Sequence, residues 1–195
     1  AATAATVKPE PVKLEPKDRP ADVGQPAALL AFERDIIAKN PKVEWGQIFD
    51  KDGNLVTPPT KGTASRIKWP LGPRGTSNWV GASMTHLHPG ESDLLSLSEQ
   101  DIVTSLNTGL GSIRAFNRSG EFMELRNNGY AFSGGAFRGL FAANWKPIER
   151  KFTSARPATE LEYMTLALGY RAAYRQAIID AVGRFPDPEI RTGTL

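Results

Sequence analysis

The only two histidines of the chain, His86 and His88, are one residue apart and are followed by Pro89. In an extended segment, residues i and i+2 point to the same side, so both imidazoles can converge on one point. Asp101 follows after a short stretch, and in the first turn of a helix its carboxylate can face back toward that point. Two imidazole nitrogens and one carboxylate oxygen suit Zn²⁺, with a fourth position open for water. The sequence therefore predicts a catalytic metal site.

A strand and a helix must position these three ligands. Residues 79–84 are small and apolar, which is typical of a central strand that leads directly to His86. The segment Ser98-Glu99-Gln100-Asp101 is a capping-box pattern and precedes an apolar helical pattern. It predicts a helix from Ser98 to about Leu110. The histidines and the aspartate would then lie on consecutive elements.

The other predicted elements flank this core and define the fold class. They are a helix over 27–39, strands over 43–49 and 54–57 around a turn at 50–53, a hairpin of 112–116 and 121–125, and a long C-terminal helix over 158–185. This order predicts an α/β (α+β) domain with a small central mixed sheet flanked by helices. We expect the long helix to bury an apolar stripe made of Leu161, Met164, Leu168, Ala172, Ile178 and Val182.

Residues 1–26 differ in composition from the rest of the chain. Closely alternating Pro, Lys and Glu prevent regular pairing and burial, which is typical of an extended linker or arm. Residues 27–195 are then a single catalytic domain. The chain begins at Ala1 and no signal peptide is visible, so we expect a C-terminal module cut from a longer polypeptide.

The composition narrows the classes of partner and compartment. The net charge of +3 is too mild to indicate nucleic acid, and no apolar run is long enough to span a bilayer. The chain has no cysteine, so it has neither disulfides nor thiolate ligands. This suits a cytoplasmic protein and equally a secreted or injected bacterial effector.

The order of these motifs resembles the JAB/MPN (JAMM) metalloprotease family. That family carries a glutamate on an early strand, a strand that ends in His-x-His-Pro, and a Ser-x-x-Asp at the start of a helix. Here the matching positions are Glu44, the segment 86–89 and the segment 98–101, within residues 43–126. The chain is also similar to His-x-His-Pro domains of Rhs-type polymorphic toxins and phage-encoded proteins. The resemblance implies a JAMM/cytidine-deaminase-like fold.

The resemblance also implies a role for each matching residue. His86, His88 and Asp101 would ligate Zn²⁺. Glu44 would be the general base on the bound water, whose pKa zinc lowers from ~16 toward ~7, and Ser98 would hydrogen-bond the oxyanion. Nine residues separate His88 from Ser98, more than the family usually has, and Ser96 is an alternative at the usual spacing. We prefer Ser98 because Asp101 begins the apolar helix pattern, whereas the residue three places after Ser96 is a glutamate.

Three functions follow from this pattern. The first is a zinc-dependent peptidase or isopeptidase, an effector or processing domain with a protein or peptide substrate and a possible immunity or carrier protein. The second is a metal-independent nuclease-type toxin that uses His86 and His88 as acid and base. The third is an inactive JAMM-like binding module. A basic and aromatic cluster could hold phosphate or an acidic partner, although a surface loop pinned by tryptophans is the simpler interpretation. Its members are Arg66, Lys68, Trp69, Arg74 and Trp79.

Overall fold

The fold is a mixed sheet with helices on both faces. The computed structural model describes residues 17–18, 24–70, 79–90, 95–127, 133–185 and 189–195. In chain order the elements are β1 (Lys17–Asp18), α1 (Ala27–Lys39), β2 (Trp45–Phe49), β3 (Thr60–Lys61), β4 (Ser83–Leu87), α2 (Glu99–Thr108), β5 (Ser112–Phe116), β6 (Glu121–Arg126), α3 (Gly134–Ser154), α4 (Glu160–Val182) and β7 (Glu189–Thr194). The predicted α/β class, with a central mixed sheet and a long C-terminal helix, is confirmed.

The strand order explains how β4 and α2 bring the predicted ligands together. Among the described residues the order is β1-β7-β6-β5-β4-β2-β3. Strands β4 and β5 are parallel, and α2 is the crossover between them. A crossover helix starts near the end of the first strand and runs back along the sheet. The end of β4, with the histidines, therefore meets the first turn of α2, with the aspartate.

The two faces of the sheet have separate apolar cores. Helices α2, α3 and α4 cover one face, where Met84 of β4 packs in the same cluster as Ile102 of α2 and Ile178 of α4. Helix α1 covers the other face, where Leu87 of β4 packs with Leu29. We call these the α2 face and the α1 face. Because side chains alternate along a strand, His86 lies on the α2 face with Met84.

Some predicted boundaries differ from the structure. Among the described residues, the predicted strand over 54–57 makes a single bridge, between Phe49 and Leu55, and the next strand is β3. Asp50 explains this, because its carboxylate accepts the backbone N–H groups of Asp52 and Asn54 and closes a tight turn. Residues 79–82 also form a turn before β4 rather than its first part.

Only the C-terminal part of the predicted α4 stripe is buried. Ile178 and Val182 are fully buried, whereas Leu161, Met164 and Leu168 are 74%, 56% and 43% exposed. The N-terminal half of α4 packs on α3 through a different face, where the Tyr170 ring lies edge-on to Trp145 and Phe152. The predicted stripe was wrong for the N-terminal half of α4 because α3 packs against the aromatic face of this helix.

The predicted arm over 1–26 lies mostly outside the described residues. Its residues Lys17–Asp18 are β1, which pairs parallel with β7 at the sheet edge. Gln25, at the end of the arm, donates a hydrogen bond to Glu124 of β6. Within the part of the chain that the structure describes, no helix combines the length and apolar character needed to cross a bilayer.

Candidate metal centre

His86, His88 and Asp101 converge as predicted. The Nε2 atoms of the two histidines are 3.0 Å apart, and His86 Nε2 lies 3.3 Å from Asp101 Oδ1. His88 Nε2 is 3.9 Å from Asp101 Oδ2. One donor atom from each residue lies within 4.8 Å of the others, so the group could hold a metal ion. The side chain of His86 is 4% exposed and that of His88 is 28% exposed, so the group opens to solvent on the His88 side.

The capping box of α2 fixes the orientation of Asp101. Asp101 Oδ2 accepts the backbone N–H and the hydroxyl of Ser98, both at 2.7 Å. The Asp101 backbone N–H in turn donates to Ser98 Oγ at 3.1 Å. Oδ2 is therefore engaged in the cap, and Oδ1 faces His86. A ligand held by hydrogen bonds at its second oxygen is typical of metal sites.

The spacing of these atoms fits a small divalent ion. Ligand atoms about 2.0–2.1 Å from a tetrahedral zinc lie about 3.3 Å apart. The distance between the two histidine nitrogens and that from His86 to Asp101 Oδ1, 3.0 and 3.3 Å, are close to this value. Two nitrogens and one carboxylate oxygen also form the donor set of open catalytic zinc sites. The group could therefore hold a metal ion, with His88 Nε2 and Asp101 Oδ2 the more widely separated atoms at 3.9 Å.

Glu44 lies beside the three candidate ligands, immediately before β2. Gly46 pairs with His86 in the antiparallel β2–β4 register. If this register is continued by two residues, Glu44 lies opposite His88 and on the same face. Its backbone is held by hydrogen bonds with Thr63 and Gly62. Glu44 is buried and lines the same cleft as the histidines, so the predicted general base is in reach of the site.

The charges of His86 and Asp101 stabilise each other. Burial on its own would lower the pKa of His86, but the negative charges of Asp101 and Glu44 outweigh it and raise this pKa. Burial would likewise raise the pKa of Asp101, but the positive charge of His86 and the Ser98 hydrogen bond hold it well below its usual range. Each shift therefore favours the charged form of its own group, the protonated imidazole of His86 and the ionised carboxylate of Asp101.

The pKa values of His88 and Glu44 are shifted in opposite directions. Burial, together with the charge of His86, lowers the pKa of His88 to about 4, so this imidazole is neutral near pH 7, and its Nε2 lies within hydrogen-bond distance of His86 Nε2. Burial raises the pKa of Glu44, and the nearby Asp101 adds to this effect while His86 opposes it. A carboxylate whose pKa moves toward neutrality is better suited to exchange protons.

The four groups open into a cleft of about 830 Å³. Trp69 forms part of its wall and packs directly over Gly46, where a Cβ atom would lie 2.3 Å from the indole Cη2 and 3.0 Å from His86 Cβ. Glycine at this position therefore lets the indole lie against the sheet beside His86. Arg66 and Arg171 also line the cleft.

The predicted basic and aromatic cluster is split by the structure. Arg66 and Trp69 line the cleft, and Lys68 lines an adjoining groove. Trp79 is 2% exposed and belongs to the apolar core of the α2 face, as expected for a tryptophan that anchors a loop. Arg74 lies outside the described residues.

The structure also separates the two candidate serines. Ser96 Oγ donates to the carbonyl of Leu97, and Glu99 pairs with Arg138, so neither faces the histidines. Ser98 lines the cleft, but its hydroxyl donates to Asp101. Its expected hydrogen bond to an oxyanion stays a prediction.

Two residues of α4 complete the surroundings of the site and were not predicted. Arg171 lines the cleft, and the Tyr174 hydroxyl accepts the backbone N–H of Glu99 at 2.9 Å, in the first turn of α2. Burial raises the pKa of Tyr174 to about 12, so the hydroxyl keeps its proton. No local motif marks either residue, because both reach the site through helix packing.

No protein-family model matches the chain, and no curated protein and no solved structure matches it.

Proposed function

We propose that the protein is a zinc-dependent hydrolase of the JAMM type, a peptidase or isopeptidase that serves as an effector or processing domain of a bacterial or phage polypeptide. The observation that carries the proposal is the convergence of His86, His88 and Asp101 in a cleft that also contains the buried Glu44. Zinc is preferred among divalent ions because the donor set is nitrogen-rich and the site has an open side.

Each site residue would have a separate role in hydrolysis. His86, His88 and Asp101 would hold the ion, which supplies a water of lowered pKa and a positive charge next to the substrate carbonyl. Glu44 would accept the proton of the attacking water and return it to the leaving nitrogen. Ser98 would keep Asp101 in its ligating orientation through the hydrogen bonds of the cap.

One observation favours a second candidate, the metal-independent nuclease. Arg66 and Arg171 line the cleft, and cations beside two histidines are also suited to a phosphodiester. The 3.0 Å distance between the histidine nitrogens is evidence against it, because an acid and a base that act on opposite sides of a phosphorus must leave room for the phosphate between them. We therefore rank the hydrolase first.

Metal analysis with three variants tests the proposal. Purified protein should contain about one zinc per chain, and the double variant His86→Ala/His88→Ala should contain none. Glu44→Gln should keep the zinc but lose the ability of the zinc-loaded protein to cleave a mixture of casein-derived peptides, followed by mass spectrometry. Asp35→Asn, on the exposed face of α1, is the matched control and should keep both properties.

Each outcome has a definite meaning. A protein that contains no zinc and cannot be reconstituted with it would refute the metal site and favour the nuclease or the binding module. Zinc binding without cleavage by the wild-type protein would favour the inactive binding module. Cleavage that survives in Glu44→Gln would remove this residue from the chemistry.

A further inference from the structure

We propose that the cleft selects peptides with carboxylate groups close to the scissile bond, and that Arg66 and Arg171 bind these groups. This inference rests on the proposed peptidase function and adds a substrate class to it. Its basis is a pair of arginines that line the metal cleft from two distant parts of the chain.

The two arginines lie on different elements. Arg66 belongs to the loop that follows β3, and Arg171 belongs to α4. Both side chains are exposed, and neither makes an ion pair or a side-chain hydrogen bond with another described residue. In contrast, Arg138, Arg126 and Arg191 each pair with a carboxylate. The cations of the cleft are therefore available to a ligand.

The balance of charge in the cleft leaves these cations without compensation. The acidic residues among its described lining are Glu44 and Asp101. Both lie at the proposed metal centre, where their two negative charges would balance the two positive charges of a divalent ion. The positive charges of Arg66 and Arg171 remain. A cleft with excess positive charge raises the local concentration of anionic ligands and their rate of association.

A groove beside the cleft extends the positive charge in one direction. Arg66 lines both cavities, and the groove is also lined by Lys61 and Lys68. Neither lysine has an ion-pair partner among the described residues. A peptide that runs from the metal centre along residues 61–68 would therefore meet three cations in succession. We expect acidic residues on that side of the scissile bond and a further carboxylate near Arg171.

The surroundings favour carboxylates over the phosphates of a nucleic acid. Proteins that bind single strands add aromatic platforms on which bases stack. Trp69 is the one tryptophan, tyrosine or phenylalanine in the described lining of the cleft, and its ring is packed onto Gly46. Arginine recognises a carboxylate through two parallel hydrogen bonds, so two separate arginines suit two separate carboxylates.

Binding of matched probes tests this inference without requiring cleavage. The probes are three fluorescein-labelled peptides of equal length with Glu, Gln or Lys at alternate positions, and a single-stranded oligodeoxynucleotide of similar length. Fluorescence anisotropy is measured with zinc-loaded and with metal-free protein. The variants are Arg66→Gln, Arg171→Gln and the double variant. Arg34→Gln, which removes an exposed charge from α1 on the opposite face, is the control.

The Glu peptide should bind most tightly to the wild-type protein. The double variant should raise its Kd about ten-fold, each single variant should raise it by part of that factor, and Arg34→Gln should leave it within about two-fold. The Kd of the Gln peptide should change less than two-fold in every variant. Raising the salt concentration should reduce the difference between the Glu and Gln peptides.

Three results would overturn the inference. Equal binding of the Glu and Gln peptides, or no binding of the Glu peptide up to about 1 mM, would show that the cleft does not select carboxylates. Tighter binding of the oligonucleotide, lost in the double variant, would assign the arginines to phosphate. Zinc binding is scored separately. An arginine-dependent preference for Glu in a protein that takes up no zinc would refute the metal centre and leave the carboxylate selection standing.

Discussion

Two polar clusters lie on opposite faces of strand β4 and begin at neighbouring residues. His86 belongs to the candidate metal centre on the α2 face. Thr85 points to the α1 face, where its hydroxyl donates to Glu33 of α1. Glu33 in turn accepts a hydrogen bond from Arg114 of β5 at 3.0 Å. Both clusters are formed by side chains of opposite charge, yet only one of them opens to a cleft.

The cluster on the α1 face is closed by protein groups. Arg114 is 1% exposed, donates to Glu124 as well as Glu33, and its guanidinium lies 3.9 Å from the centre of the Phe122 ring. Glu124 also accepts hydrogen bonds from Gln25 and Arg126. Its carboxylate and the Arg114 guanidinium are surrounded by partners, so no ligand can reach them.

The difference between the clusters separates a structural role from a functional one. In the metal centre, Asp101 Oδ1 and the neutral His88 converge on a point that faces solvent, and the two histidine nitrogens lie close together. Buried charges are stable when their hydrogen bonds are satisfied. Ionisable side chains that converge on one open point and have shifted pKa values are typical of ligand sites. We therefore expect changes in the closed cluster to affect folding first, and changes in the open cluster to affect ligand binding first.

The largest effect should come from the closed cluster. Arg114→Met removes the cation between Glu33 and Glu124 and leaves two carboxylates buried, which should cost about 3–5 kcal/mol of the free energy of unfolding. Urea unfolding of the metal-free protein measures it. Arg34→Met on the exposed face of α1 is the control and should change stability by less than about 0.5 kcal/mol. A similar loss in His88→Ala would remove the distinction between the clusters.

The next effect should come from the metal itself. The proposed function requires zinc to bind only the folded arrangement of His86, His88 and Asp101, so free zinc at about 100 times its Kd should add about 2.7 kcal/mol to the free energy of unfolding. A chelator should remove this increment. His88→Ala should be insensitive to both zinc and chelator, whereas Asp35→Asn should respond like the wild type. Equal stability of the wild type in zinc and in chelator would contradict the site.

The pH dependence of the free energy of unfolding should reveal the cost of burying the Glu33 carboxylate in the closed cluster. Burial raises the pKa of Glu33 above its ordinary value of 4.5, although Arg114 and Thr85 act in the opposite direction. A raised pKa means that the folded protein holds the proton of Glu33 more tightly than the unfolded chain does. The contribution of Glu33 to the free energy of unfolding is therefore complete below pH 4.5 and is lost as the pH rises through the raised value. The wild type should therefore lose stability relative to Glu33→Gln by up to about 1.4 kcal/mol per pH unit in that window.

Urea unfolding at several pH values, in the presence of a chelator, provides the measurement. Asp35→Asn is the control, because Asp35 is exposed on the same helix and, within the described part of the chain, pairs only with Lys39. Its stability relative to the wild type should vary little over the same window. A wild type that gains stability relative to Glu33→Gln as the pH rises would mean that Arg114 outweighs burial.

Local patterns predicted much of the fold and most of the open cluster. The helix expected over 27–39 is α1, which ends where Asn40 adopts a left-handed conformation. The hairpin of β5 and β6 was also predicted, as was the cap of α2 that orients Asp101. These features depend on residues close in sequence, where turn and cap chemistry is visible. The histidine pair is visible for the same reason, because alternation along one strand places both rings on one side.

Contacts between distant segments were not visible in the sequence. Arg114 meets Glu33 across 81 positions, and Tyr174 meets the backbone of Glu99 across 75. The stripe on α4 shows a second limit. Its spacing identified an apolar face, but spacing does not reveal whether another element covers it, and Leu161 and Leu168 remain exposed.

The smallest effect should link α4 to the metal centre. Tyr174→Phe removes the hydroxyl that accepts the Glu99 backbone N–H, two residues before Asp101, and should cost about 1 kcal/mol of the free energy of unfolding. Because the first turn of α2 also carries Asp101, we expect the zinc Kd to rise as well, by up to about ten-fold. Competition with a chromophoric chelator measures that Kd. Tyr163→Phe, an exposed tyrosine on the same helix, should change neither quantity. An unchanged zinc Kd in Tyr174→Phe, despite lower stability, would show that the cap of Ser98 alone holds Asp101 in place.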